Sequence, residues 1–252
     1  MRFASLGSGS KGNGTLVEFD GETLLIDCGF SVKDTVARLA RHGKTPEDLS
    51  AVLVTHEHGD HLRGVPALAR KYNLPVYITP GTLKAKALGK MPDIRLIEGY
   101  RAFELGPFKV QPVAVPHDAR EPAQFVISAN QKTLGVLTDL GMITAHVQDS
   151  YQHCDALVLE ANHDPVMLAY GAYPQSLKQR VGGPWGHLSN QQSAGFLEHF
   201  DVARLQQLVI AHISQQNNSL EAAEAALGPV STGVGQILYA CQDQGFDWLE
   251  IN

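Results

Sequence analysis

The stretch Thr55-His56-Glu57-His58-Gly59-Asp60-His61 constrains this chain more than any other. Four side chains able to hold a metal fall within six positions, directly behind the apolar run Ala51-Val52-Leu53-Val54. Such a run reads as a buried strand, so the donors sit where a strand gives way to a loop. On an extended backbone alternate side chains share a face, which points His56 and His58 the same way. From Leu62 the pattern turns helical, with Val65, Leu68 and Ala69 on one stripe. Asp60 and His61 therefore fall at a helix start, past the bend, where they address a second ion beside the first. Imidazole and carboxylate together suit zinc and tolerate manganese or iron.

A chain of 252 residues can bury a sizeable core. No apolar run approaches the roughly 20 residues that span a bilayer, and no signal-peptide core follows Met1. Cys28, Cys154 and Cys241 are far apart and form no CxxC, which predicts reduced thiols and a cytoplasmic location. A net charge of −6 argues against a protein that coats nucleic acid by bulk charge, though not against an enzyme that grips phosphates locally.

Arg2 to Leu6 reads as a strand, followed by a literal GxGxxG at Gly7, Gly9 and Gly12. A dinucleotide fingerprint needs a helix next. Here Thr15 to Phe19 reads as another strand, so the glycines predict a turn between two strands, with an anion-facing nest of backbone N–H groups as the alternative. Further strands are expected over Thr23–Ile26, Leu74–Ile78, Ile94–Ile97, Phe108–Val115, Gln124–Ser128, Thr133–Thr138, Ala156–Leu159, Leu205–Ile210, Ile237–Ala240 and Trp248–Ile251. Helices are expected over Val32–Arg41, Leu62–Tyr72, Pro80–Leu88, Met142–Ser150, from Asp164, over Asn190–His199 and over Leu220–Ala226, with a loop between Pro174 and Pro184. The pattern predicts a single α/β domain over residues 1–252: an αββα sandwich of two facing mixed sheets, with helices on the outer faces. Pseudo-halves of about 1–130 and 131–252 meet near Asn130-Gln131.

His117, Asp139 and His212 each follow an apolar strand, the same structural address as His56. With these residues and the His-x-His-x-Asp-His run, the chain resembles the metallo-β-lactamase fold superfamily. That resemblance implies one ion on His56, His58 and His117, a second on Asp60, His61 and His212, and Asp139 as the bridge. Asp60 counts among the catalytic residues as well as the ligands. Asp27, in Asp27-Cys28-Gly29, would organise the site by hydrogen bonding rather than ligate. Two divalent ions (zinc or manganese, with iron accepted) outweigh the two carboxylates and a bridging hydroxide, so the site would attract anions on an acidic protein. The implied chemistry is attack of that hydroxide on an ester-type centre.

Glu160 ends an apolar strand, and Trp185-Gly186-His187-Leu188-Ser189-Asn190 opens a helix. Together with Ser5-Leu6-Gly7-Ser8-Gly9-Ser10-Lys11-Gly12-Asn13 and Leu177-Lys178-Gln179-Arg180, these segments are similar to the nuclease branch, and more closely to the bacterial YycJ (WalJ) group of exonuclease-like proteins. What this implies is a 5′-exonuclease acting on DNA, favoured over RNA, with a role in repair. In that setting His187 would contact the scissile phosphate or protonate the leaving oxygen, and Glu160 would orient it. His163 would help line the pocket, and Lys178 and Arg180 would hold backbone phosphates. His42, His146, His153 and His199 carry no motif and read as surface residues. The alternatives are a small-molecule hydrolase (a glyoxalase II-like thioesterase or a cyclic phosphodiesterase), a tRNA-processing-like ribonuclease, and a non-catalytic metal-binding scaffold. The stretch from Asp139 to His212 is too short for the large inserted domain of the longer RNA-processing relatives.

Overall fold

In the computed structural model, which describes residues 1–252, alternation along the apolar strands decides how the layers stack. Leu24 and Ile26 point into one apolar cluster while Leu25, between them, points into another. Ala156 and Val158 likewise face inward, and Leu157 and Leu159 outward. A strand buried on both faces needs cover on both, which is why the apolar runs are nearly continuous rather than alternating with polar residues.

The first sheet holds β1 (Arg2–Gly7), β2 (Gly14–Phe19), β3 (Glu22–Ile26), β4 (Leu49–Leu53), β5 (Pro75–Ile78) and β6 (Asp93–Leu96). The second holds β7 (Phe103–Leu105), β8 (Phe108–Ala114), β9 (Ala123–Ala129), β10 (Lys132–Leu137), β11 (Ala156–Glu160), β12 (Gln207–Ala211) and β13 (Gln236–Tyr239). The last strand, β14 (Phe246–Glu250), crosses back to pair antiparallel with β1. The orders are β14-β1-β2-β3-β4-β5-β6 and β13-β12-β11-β10-β9-β8-β7. In each sheet an antiparallel part meets a parallel part, at β3/β4 in the first and β10/β11 in the second. Nine helices connect the strands: α1 (Val32–Arg41), α2 (Gly59–Leu62), α3 (Val65–Tyr72), α4 (Pro80–Ala85), α5 (Ala145–Tyr151), α6 (Pro165–Tyr170), α7 (Gln175–Val181), α8 (Asn190–Glu198) and α9 (Leu220–Leu227).

A cluster of 24 buried side chains, including Phe3, Leu53, Phe108, Phe125 and Val209, lies between the sheets. A second of 18 joins the first sheet to α1 and α3, and a third of 21 joins the second sheet to α5, α8 and α9. The layering is the expected αββα sandwich of two mixed sheets. No helix is long and apolar enough to cross a membrane.

Several expected boundaries move. The sheets divide between β6 and β7 rather than at residue 130, and β14 belongs to the first sheet, so the pseudo-halves do not coincide with the sheets. The helix expected over Leu62–Tyr72 is broken at Gly64, where a Cβ would lie 2.0 Å from the Phe30 carbonyl oxygen. The helix expected from Met142 starts at Ala145, because the Thr144 side chain accepts from the Val147 N–H and caps it. The loop between Pro174 and Pro184 contains α7, which buries no residue and so has no apolar periodicity to read. Strand β7 is three residues long and leaves no readable pattern for the same reason.

Candidate metal centre

Every donor proposed from the sequence lies just past the C-terminal end of a strand, on a loop or, for Asp60 and His61, in the short α2, so the sandwich delivers them to one edge. His56, His58, Asp60 and His61 follow β4; His117, Asp139 and His212 follow β8, β10 and β12. Ligand atoms of His56, His58 and His117 lie within 4.8 Å of one another, as do those of Asp60, His61 and His212. His56, His61 and Asp139 form a third such group, joining the two.

A ring nitrogen presents a lone pair to an ion only when the other nitrogen carries the proton, and that proton needs an acceptor. The acceptors are in place. Asp27 Oδ2 lies 2.7 Å from His61 Nδ1 and 2.7 Å from the Thr55 hydroxyl, whose oxygen is 2.9 Å from His56 Nδ1. A carboxylate only accepts, so the chain runs from His56 N–H to the Thr55 oxygen and from the Thr55 O–H to Asp27. The Gly186 carbonyl oxygen lies 2.9 Å from His117 Nδ1, and Glu160 Oε1 lies 3.2 Å from His212 Nδ1. Each bond leaves the ring's Nε2 facing the cluster.

Three buried atoms in this cluster have no hydrogen-bond partner: His56 Nε2, Asp139 Oδ2 and His212 Nε2. Burying polar atoms without partners costs about 1–3 kcal/mol each. They come from different loops and converge on one spot with donor chemistry that suits a divalent cation. The residues therefore fit divalent metal.

The electrostatics agree. Burial would raise the pKa of Asp60, yet the imidazoles of His61 and His212 hold it far below the carboxylate range. Glu160, also against burial, is held down to about 2, chiefly by His187. Burial would lower His212, but Asp139, Asp60 and Glu160 raise it to about 10. His61 is raised in the same way by Asp139, Asp27 and Asp60. His56, whose carboxylate neighbours do not offset its burial and the adjacent His61 charge, falls well below its ordinary value. The carboxylates thus stay ionised and draw cationic partners.

Glu160 does more than orient one ring. It is fully buried; Oε1 lies 2.8 Å from His187 Nδ1 as well as contacting His212, and Oε2 accepts from the Leu140 and Leu188 N–H groups. His187 is left with Nε2 toward a cleft of about 340 Å³, which Asp60, Asp139, His212 and Arg180 also line.

Two of the expected residues lie away from the metal-bearing cleft. Lys178 donates to the Ala169 carbonyl oxygen at 2.7 Å and borders a different groove. It is two positions from Arg180 on α7, and residues so spaced face opposite ways. His163 borders that same groove rather than the metal-bearing cleft, and its backbone pairs with Ser189. His146, His153 and His199 are exposed, but the His42 side chain is tucked against Trp248, whose indole N–H donates to the His42 carbonyl oxygen.

Asn13 is a site residue that sequence reasoning does not find. Its Nδ2 lies 3.0 Å from His61 Nε2, its backbone N–H donates to the Asp60 carbonyl oxygen, and the neighbouring Ser8 hydroxyl accepts from the His212 N–H. The Gly-rich turn does join two strands. It is also a brace behind two donor loops, with Gly12 so close to Phe30 that a Cβ would lie 2.5 Å from its ring. The repeated pairing of this turn with distant loops has no periodic trace in sequence.

Residues 22–213 match a family described as "Beta-lactamase superfamily domain". The chain is 34% identical to Exodeoxyribonuclease WalJ of Streptococcus pneumoniae, over 93% of this chain and 91% of that protein. It is 35% identical to Exodeoxyribonuclease YycJ of Bacillus anthracis, over 94% of this chain and 92% of that protein. Among solved structures, the metallo-β-lactamase fold protein YhfI from Bacillus subtilis superposes with a TM-score of 0.76 at 17% identity, covering 98% of both chains. Zn(2+)-bound PqqB from Methylobacterium extorquens superposes with a TM-score of 0.73 at 18% identity, covering 99% of this chain and 100% of that one. Donor cluster, sandwich and near-full-length relatives agree, and the chain belongs to the β-lactamase superfamily domain family, in its metallo-β-lactamase fold.

Proposed function

We propose that this protein is a two-metal phosphodiesterase acting on nucleic acid, a 5′-exonuclease on DNA with a role in repair. The observation that carries the reading is the convergence of seven donors from four strand ends, with three buried donor atoms lacking a hydrogen-bond partner. The two near-full-length relatives named as exodeoxyribonucleases support DNA as the substrate. His56, His58 and His117 would hold one ion, Asp60, His61 and His212 the other, with Asp139 between them. Zinc and manganese both suit this set. Three unpaired thiols, two of them buried, fit a reducing compartment such as the cytoplasm.

When bound, such ions supply Lewis-acid stabilisation of phosphoryl oxygens and acidify water. The chain's own residues do the rest. Asp27 and Glu160 fix the tautomers of His61, His56 and His212. Asp60 and Asp139 set the negative charge that retains cations. Glu160, ionised, holds the Nδ1 proton of His187 and aims Nε2 into the cleft, where it can deliver a proton to the leaving oxygen or bond a non-bridging oxygen. Most of the residues lining the cleft are polar, which suits a phosphodiester better than an apolar acyl group.

The test is incubation of a 5′-phosphorylated DNA duplex with manganese- or zinc-loaded protein beside Asp60→Ala protein. Nucleotides released from the 5′ end by the parent and not by the variant support the reading. Metal-replete protein that leaves DNA intact while cleaving RNA or a thioester removes it.

A further inference from the structure

Two cations reach the cleft from opposite sheets, and neither is consumed by the fold. Lys86 ends α4, which follows β5 of the first sheet, next to the strand that precedes His56. It is exposed, lines the cleft beside His58 and Asp60, and makes no hydrogen bond or ion pair. Arg180 lies on α7, between β11 and β12 of the second sheet, and lines the same cleft. Its Nε donates to Asp118 Oδ2, and its two Nη groups have no partner. The other Asp118 oxygen lies 3.5 Å from His58 Nε2 and 3.5 Å from His117 Nε2. Asp118 thus fastens the inner edge of the guanidinium beside the first donor group and leaves its fork open. A planar fork held by one edge presents two donors at fixed geometry, the arrangement that suits a phosphate.

We infer that Lys86 and Arg180 form a two-sided phosphate clamp that seats a single nucleic-acid strand across the metal centre, with Asp118 as the positioning residue for Arg180. This rests on the nuclease reading above and names the residues that would grip its substrate. It also reconciles an acidic chain with an anionic polymer. The protein as a whole carries −6, so attraction must be local, and these cations stand at the cleft where the strand has to enter. Contacts of this kind go to the backbone and carry no base preference.

The experiment measures binding of metal-loaded protein to a 3′-labelled, cleavage-resistant phosphorothioate oligothymidylate by fluorescence anisotropy, between about 50 and 200 mM salt. Each lost phosphate contact should lower the log–log salt slope by about 0.7 for a single strand. Lys86→Ala and Arg180→Ala are expected each to show that drop. Lys109→Ala, at the far end of a second-sheet strand, is expected to keep the parental slope. Asp118→Ala should weaken binding when Arg180 is present and change nothing further when it is Ala. Tighter binding by Asp118→Ala would mean that it merely repels the strand, which overturns the positioning role. Parental slopes in both cation variants overturn the clamp while leaving the nuclease reading intact. A parent that neither binds nor cleaves any nucleic acid removes both.

Discussion

The replacement of Asp27 by Asn tests the hydrogen-bond logic of the centre at a residue that ligates nothing. Asp27 is 3% exposed and accepts three bonds: from the Thr55 N–H at 2.9 Å, the Thr55 hydroxyl at 2.7 Å and His61 Nδ1 at 2.7 Å. Its φ is 61°, and Asn tolerates that region as well as Asp does, so the substitution leaves the backbone unstrained. The amide oxygen can still accept from Thr55 N–H. The amide nitrogen then faces two donors and can accept from neither. His61 can accept from it only by moving its proton to Nε2, the atom that faces Asp60 and Asp139. A protonated Nε2 cannot ligate. Loss of such an orienting partner costs about 10–100-fold in metal affinity, or about 1.4–2.8 kcal/mol at 1.4 per factor of ten. Asp27→Ala should lose as much affinity and also stability. It leaves the Thr55 N–H unpaired, at about 1–3 kcal/mol, and puts Ala at positive φ, at about 1–2 kcal/mol. Competition with a chromophoric chelator gives the affinities, and thermal melts of chelator-treated protein give the stabilities. Asp27→Asn protein that takes up both metal equivalents with parental affinity would refute the argument, because His61 and His56 would then be oriented by something else.

Other consequences follow from the same geometry. His187→Ala should lower kcat on DNA by about 10²–10⁴-fold with full metal content, the range for a lost general acid; loss of metal along with activity would make His187 a ligand instead. In chelator-treated protein, His212 has its pKa raised from 6.5 to about 10, so its stabilising proton is fully present below pH 6.5 and is lost as pH rises through about 10. Glu160, lowered from 4.5 to about 2, acts in the opposite sense: its contribution is present above pH 4.5 and is lost as pH falls through about 2. Melting temperature against pH should therefore fall on the alkaline side above about 6.5, and a profile still rising from pH 7 to 10 contradicts the signs. Gly135→Ala should destabilise by about 1–3 kcal/mol, as overpacking does, since a Cβ there would lie 2.6 Å from the Tyr151 ring and 2.9 Å from Leu157. An unchanged denaturation midpoint would show that Tyr151 gives way.

What the sequence disclosed and what it hid have a common physical cause. A metal donor at the end of an inner strand shows itself twice, by its chemistry and by the apolar run before it. His56, His117, Asp139 and His212 all carry that double mark, and the structure brings them together. Asn13 carries neither; it reaches His61 from 48 positions away, out of a turn whose glycines speak only of tight packing. Lys86, just past the end of a short helix, looks like any solvated lysine. Lys178 and Arg180 look equivalent in sequence because α7 reads as loop, and only helical geometry separates the one that faces the cleft. The crossing of β14 to the first sheet has no local sign either. Its apolar Phe246 and Leu249 would suit the edge of either sheet, and the choice is made by pairing with β1.

The backbone at the centre shows which demand dominates there. Asp27, Asp139 and His212 close β3, β10 and β12 with φ of 61°, 56° and 53°. Left-handed backbone in a residue with a Cβ costs of order 1 kcal/mol or more, even though Asp and His adopt it more often than most residues. Glycine would remove that cost at each place and remove the carboxylate or imidazole with it. All three conformations are held from behind by residues outside the seven proposed donors: Asp27 N–H by the Leu53 carbonyl oxygen, His212 N–H by Ser8, and the Asp139 turn by Glu160, which accepts from the next N–H. The cost is therefore spread into the sheet ends and the Gly-rich turn. That is why Ser8 and Glu160, which present themselves as a turn residue and a strand end, fix the shape of the candidate centre as much as the residues they support.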